Sequence, residues 1–312
     1  MFLREAIAVS IFLIVVGVIY LKEIHLLTRF IYNRLRKKQE VPYFFAKRAV
    51  ILHLLALVGV FCILYGYFIE PYRVEIKKID VFTEKFKNAK LKLVQISDLH
   101  CDIKIRNEYK LIEKINALKP DIIVFTGDTI NTPEALPLFK STMRKLKANI
   151  AKLAVKGNFD VWDWGKLDLF SGTDFTVLDE EVIQLEKDGE LFFVSGLSRD
   201  RYMKLNGLLK KIPSGYYSIF LYHSPGLAED LKGLNVDLYL CGHTHAGQVA
   251  LPFYGALVTL SKYGKKYESG KYIIGNTMLY VNRGIGMEGG FAPRVRFFSR
   301  PEITVFNIKP KR

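Results

Sequence analysis

Histidine, aspartate and asparagine gather in five short groups between residues 98 and 245. Asp98 and His100 form a D-x-H triplet, Asp128 follows Gly127, and Gly157 precedes the run Asn158-Phe159-Asp160. His223 stands by itself, and Gly242-His243-Thr244-His245 closes the series. The groups offer carboxylate, amide and imidazole ligands. None requires a thiolate, which argues against a cysteine-type structural zinc site. An Asp/Asn/His mixture suits a pair of divalent ions such as Mn2+, Fe or Zn2+. Glycine precedes Asp128, Asn158 and His243, where it would let the backbone turn sharply.

The elements that must position these groups are legible as apolar stretches in front of them. Residues 91–96, 121–125 and 153–155 read as strands that run into Asp98, Asp128 and Asn158. Amphipathic helices are predicted around 107–118 and over 134–149. Further strands near 191–194, 217–221 and 236–240 follow, the last two leading to His223 and His243. Hairpins fill 249–280, and 303–308 closes the chain. This alternation argues for a parallel α/β core, which gathers ligands beyond the carboxyl ends of its strands.

The order D-x-H, G-D, G-N-x-D, H and G-H-x-H, each after an apolar strand, resembles the calcineurin-like metallophosphoesterase superfamily. The resemblance runs from about residue 90 to the C-terminus. It implies a four-layer α/β/β/α sandwich with a dinuclear metal centre between strand-end loops. Asp98, His100 and His245 would hold one ion, Asn158, His223 and His243 the other, and Asp128 would bridge them. Two divalent ions are implied, with Mn2+ expected and Fe or Zn2+ as alternatives. The implied activity is cleavage of a phosphodiester or pyrophosphate bond by a metal-activated hydroxide, with Asp128, Asn158 and Asp160 as catalytic residues.

One position departs from the family pattern G-N-H-D, because Phe159 replaces its histidine. Four of the six histidines are metal ligands in this reading and the other two, His25 and His53, lie in apolar surroundings near the N-terminus. No histidine remains as a general acid. A leaving group that departs unprotonated, such as a nucleotide phosphate, therefore suits the site better than an alkyl alcohol. Phe159 and Arg283 are expected to contact substrate. Arg283 lies in Asn282-Arg283-Gly284-Ile285-Gly286, an R-G-x-G tail similar to that of membrane-anchored and exported bacterial members. Together with Arg294, Arg296 and Arg300 it could grip a diphosphate in a guanidinium fork. Cys101 and Cys241 read as small buried hydrophobes.

Composition sets the surroundings. Half the chain is apolar, 25% is charged, and the formal net charge is +15. Abundant Phe and Tyr exclude disorder, and three cysteines exclude a disulfide scaffold. Residues 71–312 keep a net charge of +10, which suits an anionic substrate or an anionic bilayer. Residues 6–21 and 49–69 carry no formal charge, so two transmembrane segments are expected, over 1–24 and 49–70. A basic loop over 25–48 would separate them, and a catalytic domain over 71–312 would follow. The loop charge favours an exoplasmic catalytic domain in a two-pass membrane protein. The anionic substrate would be phosphate-containing and lipid-linked, with UDP-2,3-diacylglucosamine as the named candidate, and that role requires a cytoplasmic site. A general envelope phosphodiesterase and a catalytically weak membrane scaffold are the alternatives. Nucleic-acid binding is not expected, because the basic residues are scattered and no aromatic-basic motif occurs.

Overall fold

The computed structural model describes residues 3–36, 42–289 and 294–311. It divides into two units, Met1–Ile69 and Glu70–Arg312.

The first unit is a helical hairpin of α1 (Leu3–Leu35) and α2 (Lys47–Phe68). Both helices are long and apolar enough to cross a membrane. Side chains such as Leu13 and Phe61 stand exposed along them, which favours contact with lipid over water. The expected loop over 25–48 is shorter than the charge pattern suggests, because α1 continues to Leu35 before the chain turns. Its last turns are amphipathic and close against α2. His53 Nδ1 meets Glu23 Oε2 at 2.7 Å, and Phe30 stacks on Phe44 at 4.3 Å between centroids.

The second unit opens with β1 (Glu75–Thr83), β2 (Leu91–Ile96), α3 (Glu108–Leu118) and β3 (Ile122–Phe125). Next come α4 (Leu136–Arg144), β4 (Ala151–Ala154), α5 (Asn158–Trp162) and β5 (Thr176–Val177). β6 (Glu181–Lys187), β7 (Glu190–Leu197), α6 (Leu205–Leu209), β8 (Tyr217–Tyr222) and β9 (Leu238–Cys241) continue the chain. A small hairpin of β10 (Ala250–Leu251) and β11 (Gly255–Ala256) precedes β12 (Gly270–Ile274), β13 (Thr277–Val281) and β14 (Glu302–Pro310). Two six-stranded sheets result, ordered β1-β14-β2-β3-β4-β5 and β12-β13-β9-β8-β7-β6.

Strand alternation explains the layers. Leu91 and Leu93 of β2 join Ile219, Leu221, Leu238 and Leu240 of the other sheet in one core. Val94 and Ile96 face the opposite way, onto Leu111 and Ile115 of α3 and Phe139 and Met143 of α4. Phe220, Tyr222 and Tyr239 cover the outer face of the second sheet with α6. The central strands of each sheet are thus buried on both faces, and the α/β/β/α sandwich is the observed architecture. The predicted helix over 134–149 stops at Arg144, because Asn149 and Ile150 donate instead to Pro120 and Asp121 carbonyls and lead directly into β4.

Candidate metal centre

The loops at the carboxyl ends of β2, β3, β4, β8 and β9 converge. β2 runs into Asp98 and His100, β3 into Asp128, and β4 into Asn158 at the start of α5. β8 runs into His223, and β9 into His243 and His245. Asp98, His100, Asp128, His243 and His245 all have positive φ, between 39° and 74°. Non-glycine residues seldom adopt this conformation, and its clustering is characteristic of functional sites.

The glycines serve a different purpose from the expected one at two of three positions. Gly127 does turn with φ +94°. Gly157 and Gly242 need space instead, since a Cβ there would lie on the carboxylates of Asp128 and Asp98 respectively. Gly284 and Gly286 of the R-G-x-G tail likewise press on Asp98 and Leu99. The tail motif therefore packs under the D-x-H loop.

Ligand atoms form two clusters, Asp98/His100/His245 and Asp128/His223/His243, each with its atoms within 4.8 Å of one another. Asp128 joins them: its Oδ2 lies 3.2 Å from His223 Nε2 and 3.6 Å from His100 Nε2. Asn158 Oδ1 is 3.0 Å from His223 Nε2, and His243 Nδ1 is 3.2 Å from the same atom. His245 Nε2 stands 3.3 Å from Asp98 Oδ1. The seven residues named from the sequence converge.

Hydrogen bonds behind the rings aim their lone pairs. His100 Nδ1 pairs with Asn131 Oδ1 at 3.0 Å, His223 Nδ1 with the Thr126 carbonyl at 2.7 Å, and His243 Nε2 with the Leu260 carbonyl at 3.2 Å. Each bond fixes a tautomer whose other nitrogen faces the cluster. His245 differs, because Arg296 Nη2, a donor, faces its Nδ1 at 3.2 Å. Asn131 was not singled out in the sequence. Its position three residues past Asp128, on the same loop, is the available signal.

Charge in the site favours a cation. Burial would raise Asp98, yet the His245 imidazole beside it holds its carboxyl far below the usual range. Asp128 is lowered against burial too, chiefly by His223. Burial pulls His100 and His243 down to about 4. His223 goes the other way, to about 9, because the Asp128 carboxylate outweighs the cost of burial. His100 Nε2 and His245 Nε2 are buried without a hydrogen-bond partner, a state that a metal ion would relieve. The residues fit a pair of divalent ions.

Three expectations change. Asp160 is fully buried, and its carboxylate accepts from the backbone N–H groups of Asp128, Gly157 and Thr129 and from the Thr129 hydroxyl, at 2.7–2.9 Å. It positions the Asp128 and Asn158 loops and does not face the cluster as a catalytic group; its pKa is raised by burial and by Asp128. Arg283 is not open to substrate, since its Nε meets Glu302 at 2.5 Å and its Nη2 meets Glu75 at 2.6 Å. The arginine fork dissolves with it: Arg294 pairs with Asp102, and Arg296 is wholly buried among the carbonyls of Arg283, Gly286 and Ser299. Phe159, by contrast, lies at the cluster. Its ring meets His100 edge-on at 5.0 Å, and its N–H donates to Asp128 Oδ1 at 3.0 Å. Cys101 and Cys241 are buried free thiols, as composition suggested.

A profile of the family described as calcineurin-like phosphoesterase matches residues 91–247, the stretch that holds every one of these ligands. The chain belongs to this family. The phosphoesterase is 36% identical over 262 residues to a Bacillus subtilis (strain 168) protein described as uncharacterized metallophosphoesterase YkuE, covering 78% of this chain and 90% of that one. It is 31% identical to a Campylobacter jejuni uncharacterized metallophosphoesterase, Cj0846, covering 76% of this chain and 64% of that one. It is 25% identical to the UDP-2,3-diacylglucosamine pyrophosphatase LpxG of Chlamydia muridarum, over 76% of this chain and 90% of LpxG. The phosphoesterase is accordingly a metal-dependent hydrolase of phosphoric esters or anhydrides. A divalent pair, when bound, lowers the pKa of water and offsets charge on phosphoryl oxygens.

Proposed function

We propose that the chain is a membrane-anchored hydrolase of a lipid-linked pyrophosphate or activated phosphodiester, working with two divalent ions, Mn2+ foremost. In this reading Asp98, His100 and His245 hold one ion, Asn158, His223 and His243 hold the other, and Asp128 bridges them. The observation that carries it is the pair of ligand clusters, with Asp128 Oδ2 of one 3.6 Å from His100 Nε2 of the other and buried imidazole nitrogens left without partners. The absence of a histidine at 159 favours a leaving group that needs no proton, as a nucleotide phosphate does not. Two apolar helices in one hairpin support a bilayer anchor over residues 1–70, ahead of a catalytic domain over 71–312. Similarity to LpxG makes UDP-2,3-diacylglucosamine the first substrate to offer. The full-length protein in detergent, loaded with Mn2+, Fe2+ or Zn2+ in turn, should release a nucleoside monophosphate from such a pyrophosphate. Turnover of bis(p-nitrophenyl) phosphate alone would restrict the reading to a diesterase.

A second reading rests on loop charge. Eight Lys or Arg against two Glu between residues 22 and 48 favour a cytoplasmic loop, hence an exoplasmic site acting on envelope phosphodiesters. Reporter fusions at the C-terminus separate the two readings, because a cytoplasmic C-terminus excludes the second.

A further inference from the structure

Beside the metal centre lies a cavity of about 950 Å3, between α5, the turn after β7 and the loop after His223. Part of its wall belongs to the ligand loops, and the rest is the segment after β7. Trp162 is one helical turn beyond Asn158, and Leu227 follows His223 by four residues. The Arg199 N–H donates to the Lys156 carbonyl at 3.1 Å, two residues before Asn158.

Two features of this cavity go beyond what the fold requires. Arg199 carries its charge without a carboxylate partner among the described residues. Its Nη1 donates to the Tyr222 hydroxyl at 2.7 Å, its guanidinium lies 5.8 Å from the ring centroids of Trp162 and Tyr222, and its Nε is buried without a hydrogen-bond partner. The adjacent Asp200 faces Arg201 instead. Apolar surface stands open around it: Trp162 is 67% exposed and Met203 81%, above a floor of buried Leu205 and Leu227. A concave apolar wall with one fixed cation describes a ligand subsite. Exposed apolar groups gathered there mark what the ligand must cover.

We propose that this cavity is the subsite for the part of the substrate beyond the scissile phosphate, and that this part is a phosphorylated amphiphile. Arg199 takes a phosphoryl oxygen, and Trp162, Met203 and Leu227 cover an acyl or alkyl chain. The proposal rests on hydrolysis at the metal centre described above. Flexible Met203 and the leucines suit a chain of variable conformation; a nucleobase would call for paired donors and acceptors in a flat slot.

A series of p-nitrophenyl alkyl phosphodiesters, from methyl to octyl, tests it on the full-length Mn2+-loaded protein in one detergent. We expect kcat/KM to rise with chain length, by about fourfold for each methylene that enters the cavity. Met203→Ser and Trp162→Ser should flatten that slope; Met203 is exposed, so its replacement leaves the fold intact. Arg199→Ala should lower kcat/KM for an alkyl pyrophosphate, whose second phosphate the diesters lack, and Arg199→Lys should recover part of it. An unchanged slope in both apolar variants overturns the proposal while the metal centre stands. So does a wild-type preference for uridine diphosphate esters that Trp162→Ser erases. Failure to release p-nitrophenol from any member, with turnover of a pyrophosphate retained, would overturn the diesterase reading and the subsite with it, while the anhydride hydrolase stands.

Discussion

The loops after β2, β3, β4, β8 and β9 and the segment from Arg283 to Arg300 both carry conspicuous polar side chains beside the metal cluster. In the first region the donor atoms remain available. His100 Nε2 and His245 Nε2 have no hydrogen-bond partner, and Asp98 and Asp128 stay ionised against burial. In the second region the guanidinium groups of Arg283, Arg294 and Arg296 are engaged. Arg283 bridges Glu75 and Glu302 at the starts of β1 and β14, and Arg296 ties the carbonyls of Gly286 and Ser299 together. The arginines hold the tail under the D-x-H loop, and the histidines face inward above it. Charge near a catalytic centre is therefore evidence of function only when its donors and acceptors are unspent.

The largest effect should come from the region whose atoms are free. Asp128→Ala or His243→Ala should abolish turnover and lower bound metal, by more than the ~10–100-fold that an outer hydrogen-bond partner contributes. Metal analysis alongside a diester assay checks this, and near wild-type turnover in both variants would remove these residues from the site. Arg283→Met should act on the fold instead. It leaves the buried Glu302 carboxylate without its cation, a cost of about 3–5 kcal/mol in unfolding free energy. Denaturant titration measures it, and Glu302→Gln in the same chain should recover most of the loss. If Arg283→Met kept its stability but lost KM for a pyrophosphate, the contrast between the two regions would collapse.

The same difference explains what could be read in advance. Each metal ligand lies within four residues of the end of its strand, so short-range spacing carries it into place. The parallel strands behind the site followed from apolar runs, whereas the pairing of two sheets was implied only by the family resemblance. Edge strands β1 and β6 escaped notice because they are half exposed and charged, with Lys77, Lys78 and Asp80 in β1 and Glu181 and Glu186 in β6. Arg283 misled because its partners, Glu302 and Glu75, are 19 and 208 residues away. Asp160 misled because the family resemblance made it a catalytic residue, whereas its hydrogen bonds cross to the loop of Asp128.

Asn131 tests the boundary between the regions. It receives His100 Nδ1 and donates to the carbonyls of His100 and Met287, so it joins a ligand ring to the tail. Asn131→Leu should weaken metal binding by ~10–100-fold, read by competition with a chelator. Activity should return at saturating metal if the role is orientation of the ring. Loss that excess metal cannot restore would mean that the loop itself has collapsed.

The smallest effect is expected at Phe159. Its ring sits edge-on to His100 at the cluster, so Phe159→His places an imidazole within the site. A proton donor there is worth roughly 10²-fold where protonation of the leaving group limits the rate. Asp160 cannot orient the new ring, because Gly157, Asp128 and Thr129 already occupy its carboxylate. The gain should therefore stay below that figure, and should be larger for alkyl phosphodiesters than for pyrophosphates whose leaving group is already a stable phosphate. The ratio of kcat/KM values for the two classes is the measurement. An equal gain on both would assign the imidazole to phosphate binding and remove the leaving-group argument for a pyrophosphate substrate. A loss on both would mean that the phenyl ring shields His100, and that the packing at 159 serves the metal cluster directly.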